Sequence, residues 1–213
     1  MAVVVRDGNV QIERLSLGLY NTNTYIISDM VTGDSVLVDA PADAGLICEK
    51  LNGTTPRAIL LTHCHFDHIG ALKEVKSCLG VPLAAHEADA GRLPEWPDRL
   101  LSHGECLPCG TVEIVVLHTP GHTLGSLCFL VGRYLISGDT LFPGGPGLTA
   151  TPEAFSRIVE SITRRLFVLP DDIVVFPGHG GDTVLGKEKE AFKVFGSRSH
   201  SPELCRSVRW LKS

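Results

Sequence analysis

The 213-residue chain is 44% hydrophobic and 20% charged, enough apolar material for one sizeable core and unlike a disordered or collagen-like polymer. Its 24 Asp and Glu outweigh 19 Lys and Arg, and a net charge of -5 with no basic cluster argues against nucleic acid as a partner. The length fits a single domain over residues 1–213.

From the start of the chain, the apolar run before Arg6 is too short for a signal peptide or for the roughly 20 residues of a spanning helix. No membrane partner and a cytoplasmic location are therefore expected. Strands are predicted at 10–17, 24–28, 35–38, 58–62, 112–117, 127–131, 134–136 and 173–176, most of them bounded by Gly, Pro, Asp or Asn. Helices are predicted at 42–51 and 70–79. A third begins at Thr151-Pro152 and carries Phe155, Ile158, Val159, Ile162 and Leu166 on one face. Sheets covered by helices follow from that order. Residues 91–110 and the Gly/Pro-rich 142–151 read as loops over a site. Seven cysteines (48, 64, 78, 106, 109, 128 and 205) show no framework spacing, so reduced thiols are expected.

The chemistry concentrates in Thr62-His63-Cys64-His65-Phe66-Asp67-His68-Ile69-Gly70, directly after the apolar run Ile59-Leu60-Leu61. In an extended chain His63 and His65 point the same way, while Asp67 and His68 fall where the chain turns into a helix. One short segment then serves two adjacent metal ions, since imidazole and carboxylate bind zinc and similar divalent cations at neutral pH. Further candidates sit just past strand ends beside glycine: His122 in Thr119-Pro120-Gly121-His122, Asp139 in Ser137-Gly138-Asp139-Thr140, and His179 in Pro177-Gly178-His179. Five His and two Asp are too many donors for one tetrahedral ion and suit two, with Asp139 as the shared carboxylate.

These residues resemble the metallo-β-lactamase superfamily of binuclear hydrolases, whose HxHxDH signature matches His63, His65, Asp67 and His68, followed in order by the His122, Asp139 and His179 segments. The resemblance spans roughly residues 10–190 and implies an α/β (α+β) four-layer αββα sandwich with the metals at one edge. It implies one ion on His63, His65, His122 and Asp139, and the second on Asp67, His68, His179 and Asp139. Zinc is the first choice, iron or manganese the others. It also makes Asp39, after Val36-Leu37-Val38, a residue that orients a ligand, and Asn23-Thr24-Tyr25 the family's early Asn-x-Tyr strand.

Within the superfamily the pattern looks closest to the glyoxalase II branch of thioester hydrolases. That implies hydroxide held between two ions, its parent water acidified to about pKa 7, attacking a small thioester or related acyl substrate. Asp67 is a candidate proton acceptor. A thiolate leaves readily because a thiol's pKa is about 8.5, and no G-x-S-x-G nucleophile elbow competes. Two departures stand out. Pro143 to Thr149 replaces the branch's Gly-Lys-Phe-Tyr type segment that grips glutathione, and little chain follows Phe195 for its C-terminal helical domain.

Rival functions are a lactonase, a mononuclear iron persulfide dioxygenase, a nuclease, and a non-catalytic binding protein of the same fold. Sulfur dioxygenases resemble this branch but carry an Arg-rich segment where residues 143–149 hold no Arg, and the nucleases need a basic arm. Cys106-Leu107-Pro108-Cys109 has no second pair to complete a zinc knuckle and reads as a turn. Cys64 faces away from its neighbouring ligands as a buried thiol, and His86, His103, His118 and His200 lack partner motifs. Lys187, Glu188, Lys189, Glu190 and Lys193 read as a solvated helix face.

Overall fold

A computed structural model of the chain describes residues 2–212. The first half runs β1 (Ala2–Asp7), β2 (Val10–Leu17), β3 (Thr22–Asp29), β4 (Asp34–Val38), α1 (Ala44–Leu51), β5 (Thr55–Leu60), α2 (Phe66–Ile69), α3 (Leu72–Leu79), β6 (Leu83–Ala85), α4 (Glu87–Ala90) and β7 (Arg99–Leu100). The second half runs β8 (Cys106–Cys109), β9 (Val112–His118), β10 (Leu127–Val131), β11 (Tyr134–Gly138), β12 (Leu141–Phe142) and β13 (Gly145–Pro146). It continues with α5 (Pro152–Ser161), a π turn (Ile162–Leu166), β14 (Val174–Pro177), β15 (Thr183–Val184) and α6 (Leu185–Gly196).

Seven strands form one sheet in the order β1 to β7, antiparallel as far as β4 and parallel from β4 onward. The second sheet has the order β15-β14-β11-β10-β9-β8, and β12 pairs with β13 alone. The period-two alternation of a strand explains why the sequence is apolar on both faces here. Val36 and Val38 of β4 point into the core between the sheets, where they meet Ile114, Val116, Phe129 and Phe176. Leu37, between them, points outward to Ile47 and Leu51 of α1 and to Leu72 and Val75 of α3. On the second sheet Phe129 faces inward while Cys128 faces Ile158, Ile162, Leu166, Leu185 and Phe195. The layers are therefore helix, sheet, sheet and helix, the αββα sandwich.

Several expectations need correction. Residues 91–110 are not all loop: β7 lies there, and Cys106–Cys109 is strand β8, paired with β9 in the register Cys106 to Val115 and Cys109 to Val112. Pro108 fits because β8 is an edge strand, where its missing N–H removes no ladder bond. Cys48 and Cys78 form a disulfide between α1 and α3, so the thiols are not all reduced. The two helices pack side by side on the first sheet, a proximity that spacing along the chain does not reveal. Glu188 is not solvated: it is buried, accepting from Thr183 Oγ1 at 2.6 Å and the Gly144 N–H at 2.8 Å. Residues 142–151 contain the β12–β13 hairpin, and the tail folds back on it. Trp210, its ring fully buried against Phe192 and Phe195, donates its backbone N–H to Gly144 O at 2.9 Å, while Arg206 bridges Thr149. No helix among the described residues is long and apolar enough to cross a membrane.

Strand direction positions the site. β4, β5, β11 and β14 all deliver their carboxyl ends to one edge, and the segments leaving those ends carry Asp39, the 62–68 run, Asp139 and His179. That is where open α/β sheets place ligands.

Candidate metal centre

All seven donors meet at this edge. Three groups have ligand atoms within 4.8 Å of one another: His63, His65 and His122; His63, His68 and Asp139; and Asp67, His68 and His179. Asp139 lies between the outer groups. Its Oδ2 is 3.4 Å from His122 Nε2 and 3.7 Å from His179 Nε2, and its Oδ1 is 3.4 Å from His68 Nε2. Asp67 Oδ2 is 3.2 Å from His179 Nε2, and His65 Nδ1 is 2.8 Å from His122 Nε2. Two glycines make room. Gly138 adopts φ +47°, and a Cβ there would strike Thr62; a Cβ on Gly178 would strike the Asp139 carboxylate.

The chain fixes which nitrogen of each ring faces inward. His68 Nδ1 donates to Asp39 Oδ2 at 2.7 Å, His122 Nδ1 to Leu148 O at 2.7 Å, and His179 Nδ1 to Tyr20 O at 3.1 Å. Carboxylates and carbonyls only accept, so each Nδ1 carries the proton and each Nε2 presents a lone pair to the site. Asp39 also accepts the Thr62 N–H at 2.8 Å and the Thr62 hydroxyl at 2.7 Å, which leaves that hydroxyl's oxygen to accept from His63 Nδ1 at 3.0 Å. One carboxylate thus orients His68 directly and His63 through Thr62. Asp39 itself sits at φ +62°, the left-handed turn that points it back across the strand ends.

The donor set fits a cation. Buried His63 Nε2 and Asp139 Oδ1 have no hydrogen-bond partner, although a buried polar atom is normally satisfied. His68 Nε2 and His179 Nε2 face each other at 3.3 Å with both Nδ1 atoms already donating, so two lone pairs meet unless a positive charge lies between them. Burial, then the neighbouring imidazoles beginning with His68, pushes His63 well below the ordinary histidine range, and burial lowers His65. For His68 burial opposes charge, but Asp39 and Asp139 overcome it and push the ring up to about 10, so Nε2 would hold a proton that an incoming cation displaces. Burial likewise works to raise Asp139, yet His68 foremost, aided by His122 and His179, holds it below the usual carboxylate value.

Sequence reasoning missed two supports. Thr62 is one. The other is Asp89 of α4, whose buried carboxylate accepts the Cys64 N–H at 3.0 Å, the Thr123 hydroxyl at 2.7 Å and the Gly125 N–H at 2.9 Å. It ties the His63–His65 segment to the His122 loop, and no local motif marks it. Asn23 and Tyr25 anchor the remaining loop: Asn23 Nδ2 donates to Pro177 O and Gly180 O, and the Tyr25 hydroxyl donates to Pro177 O at 2.7 Å. Cys64 is buried, its thiol pushed up to about 12 by burial and Asp89. His118 ends β9 with Nε2 on Leu124 O and stacks on His86, outside the cluster.

Known proteins resemble this chain over most of its length. Hydroxyacylglutathione hydrolase GloC of Haemophilus influenzae is 30% identical over 213 residues, covering 89% of this chain and 100% of that one. Among solved structures, TTHA1623 in a di-iron-bound form is 34% identical with a TM-score of 0.71, covering 83% of this chain and 96% of that chain. ETHE1 from Myxococcus xanthus is 28% identical with a TM-score of 0.74, covering 84% and 81%. The family model described as the metallo-beta-lactamase superfamily matches residues 17–179, from the end of β2 to the last of the gathered histidines, and the chain belongs to that superfamily of metallo-hydrolases.

Proposed function

We infer that the protein hydrolyses a small thioester or related acyl substrate with two divalent cations, zinc first and iron or manganese as alternatives. His63, His65, His122 and Asp139 would hold one, and Asp67, His68, His179 and Asp139 the other. The observation that carries this is the pair of facing imidazole clusters with Asp139 between them and bare inward lone pairs. When bound, such ions supply an acidified water and polarise a carbonyl oxygen.

The chain's own residues do the rest. Asp39 and Thr62 hold His68 and His63 in their tautomers, and Asp139 stays ionised at neutral pH, as a shared ligand must. Asp67 Oδ2, within 3.4 Å of the Thr22 hydroxyl and near His179, is a place for a transferred proton. A thioester suits this set because a thiolate needs little protonation to depart. The name of the Haemophilus relative supports the same chemistry. Glutathione as the thiol is not part of the proposal, since the tail packs against 143–149 and no Lys or Arg lies in that stretch. The reading places the enzyme in the cytoplasm with no nucleic-acid or membrane partner; the Cys48–Cys78 disulfide is the feature that argues against that compartment.

A second reading is persulfide dioxygenation on a single iron, for which the His63, His65 and His122 group with Asp139 beside it would suffice. Metal analysis of the purified protein, with turnover of thioesters and lactones and oxygen uptake with a persulfide, separates the two. Two ions per chain and thioester turnover are expected; one iron with oxygen uptake overturns the hydrolase. His65→Ala and Asp139→Ala are expected to lose metal and turnover together, and Cys106→Ser, on an exposed edge position, to keep both.

A further inference from the structure

The loops that frame the metal centre carry an unusual surface. Leu19, Tyr20, Phe66, Leu124 and Leu148 are all more than half exposed, though large apolar side chains gain by burial. Each is tied to the donor set. Phe66 lies between His65 and Asp67, and its ring meets Tyr20 edge-on at 5.3 Å. Tyr20 and Leu148 supply the carbonyls that accept from His179 and His122. Leu124 lies two residues after His122, and Leu19 precedes Tyr20. The apolar side chains thus flank both ends of the cluster, Tyr20 and Phe66 beside His179 and Asp67, Leu124 and Leu148 beside His122.

Charge is missing from the same loops. Residues 18–22, 119–126, 140–152 and 177–181 contain no Lys, Arg, Asp or Glu. Nearby Arg14 is engaged by Asp182, and Arg92 is the cation whose field reaches His65 and Cys64. A site for a multiply charged thiol conjugate needs several paired cations. This rim offers apolar area directly beside the reacting centre instead.

We propose that the Leu19, Tyr20, Phe66, Leu124 and Leu148 rim is the acyl-binding surface, and that the substrate is a thioester or ester with an aliphatic acyl chain and an uncharged leaving group. This rests on the hydrolase reading and names its substrate class. A methylene fully removed from water strengthens binding about fourfold, so one lying along a half-open rim contributes about twofold.

The test uses N-acetylcysteamine thioesters from two to eight carbons, beside the glutathione thioesters of the same acids. The expected kcat/KM rises about twofold per methylene. The glutathione series is expected to gain nothing over its neutral counterparts, and Phe66→Ala or Leu148→Ala should flatten the slope. Binding is followed independently by methyl NMR of the metal-loaded protein with the matching S-alkyl thioethers, which cannot be hydrolysed. Shifts at Leu19, Leu124 and Leu148 that strengthen with chain length support the rim, even if no thioester turns over, in which case the hydrolase reading alone falls. Thioether shifts absent or elsewhere overturn the proposal. So does a flat chain-length profile with rates that track the thiol's carboxylates and fall in Arg92→Gln. Self-association that covers the same leucines with no thioether response also overturns it.

Discussion

At the scale of single residues, the candidate metal donors were legible as a cluster because nothing about packing asks for three imidazoles and a carboxylate within six residues, and because each distant partner follows a strand beside glycine. Asp39 was legible only through its likeness to a strand-ending aspartate, and Thr62 not at all, since a threonine after an apolar strand carries no signal of its own. The hydrogen bonds supply what the motif lacks: Asp39 holds His68 by Nδ1 and holds His63 by way of Thr62. Asp39→Asn keeps the size but loses an acceptor with two full lone-pair sites, so affinity at both positions is expected to drop, by about ten- to hundredfold. Calorimetric zinc titration, with circular dichroism confirming an intact fold, checks this; a loss confined to one ion per chain would contradict the shared support.

At the scale of elements, strands announced themselves where alternation or apolar runs were long, and failed to where they were short or carried misleading residues. β8 holds Pro108 between two cysteines, a pattern that reads as a turn until its edge position is known. The four residues of α4 have no periodicity to detect, yet they deliver Asp89 to the two ligand loops. Glu188 sits among lysines on α6, and only the folded-back hairpin explains its burial. Asp89→Ala would leave the Cys64 and Gly125 N–H groups short of an acceptor inside the protein and the Thr123 hydroxyl with Ser126 Oγ alone. A loss of about 3 kcal/mol or more is expected. Urea unfolding measures it, and an unchanged midpoint would show that water or a neighbour replaces the carboxylate.

At the scale of the whole molecule, the two sheets are fastened at opposite ends. Away from the site, Asp29 at the end of β3 accepts the Thr111 N–H at 2.6 Å and the Thr111 hydroxyl at 2.8 Å across from the second sheet. The Thr111 amide above all, with the Val31 N–H and the two threonine hydroxyls, lowers this carboxyl to about 2 against burial. A depressed carboxylate contributes stability in full above its unfolded value of about 3.9, and that contribution disappears as pH falls through about 2. Acid unfolding of Asp29→Asn is therefore expected to show a shallower loss between those limits, which a pH series of thermal melts reveals. At the other end the donors come from both halves: His63, His65, Asp67 and His68 from the first, His122, Asp139 and His179 from the second. Ions present at a hundred times their dissociation constant would stabilise the folded chain by about 2.7 kcal/mol each, so chelation should lower the melting temperature, and differential scanning calorimetry with and without chelator tests it. His179 is the last of those donors along the chain, so the pair can be caught only after both halves of the fold have been made. The same cations that equip the protein for its reaction would then act as the rivet that closes it, and a cell short of metal would accumulate a looser polypeptide as well as an idle one.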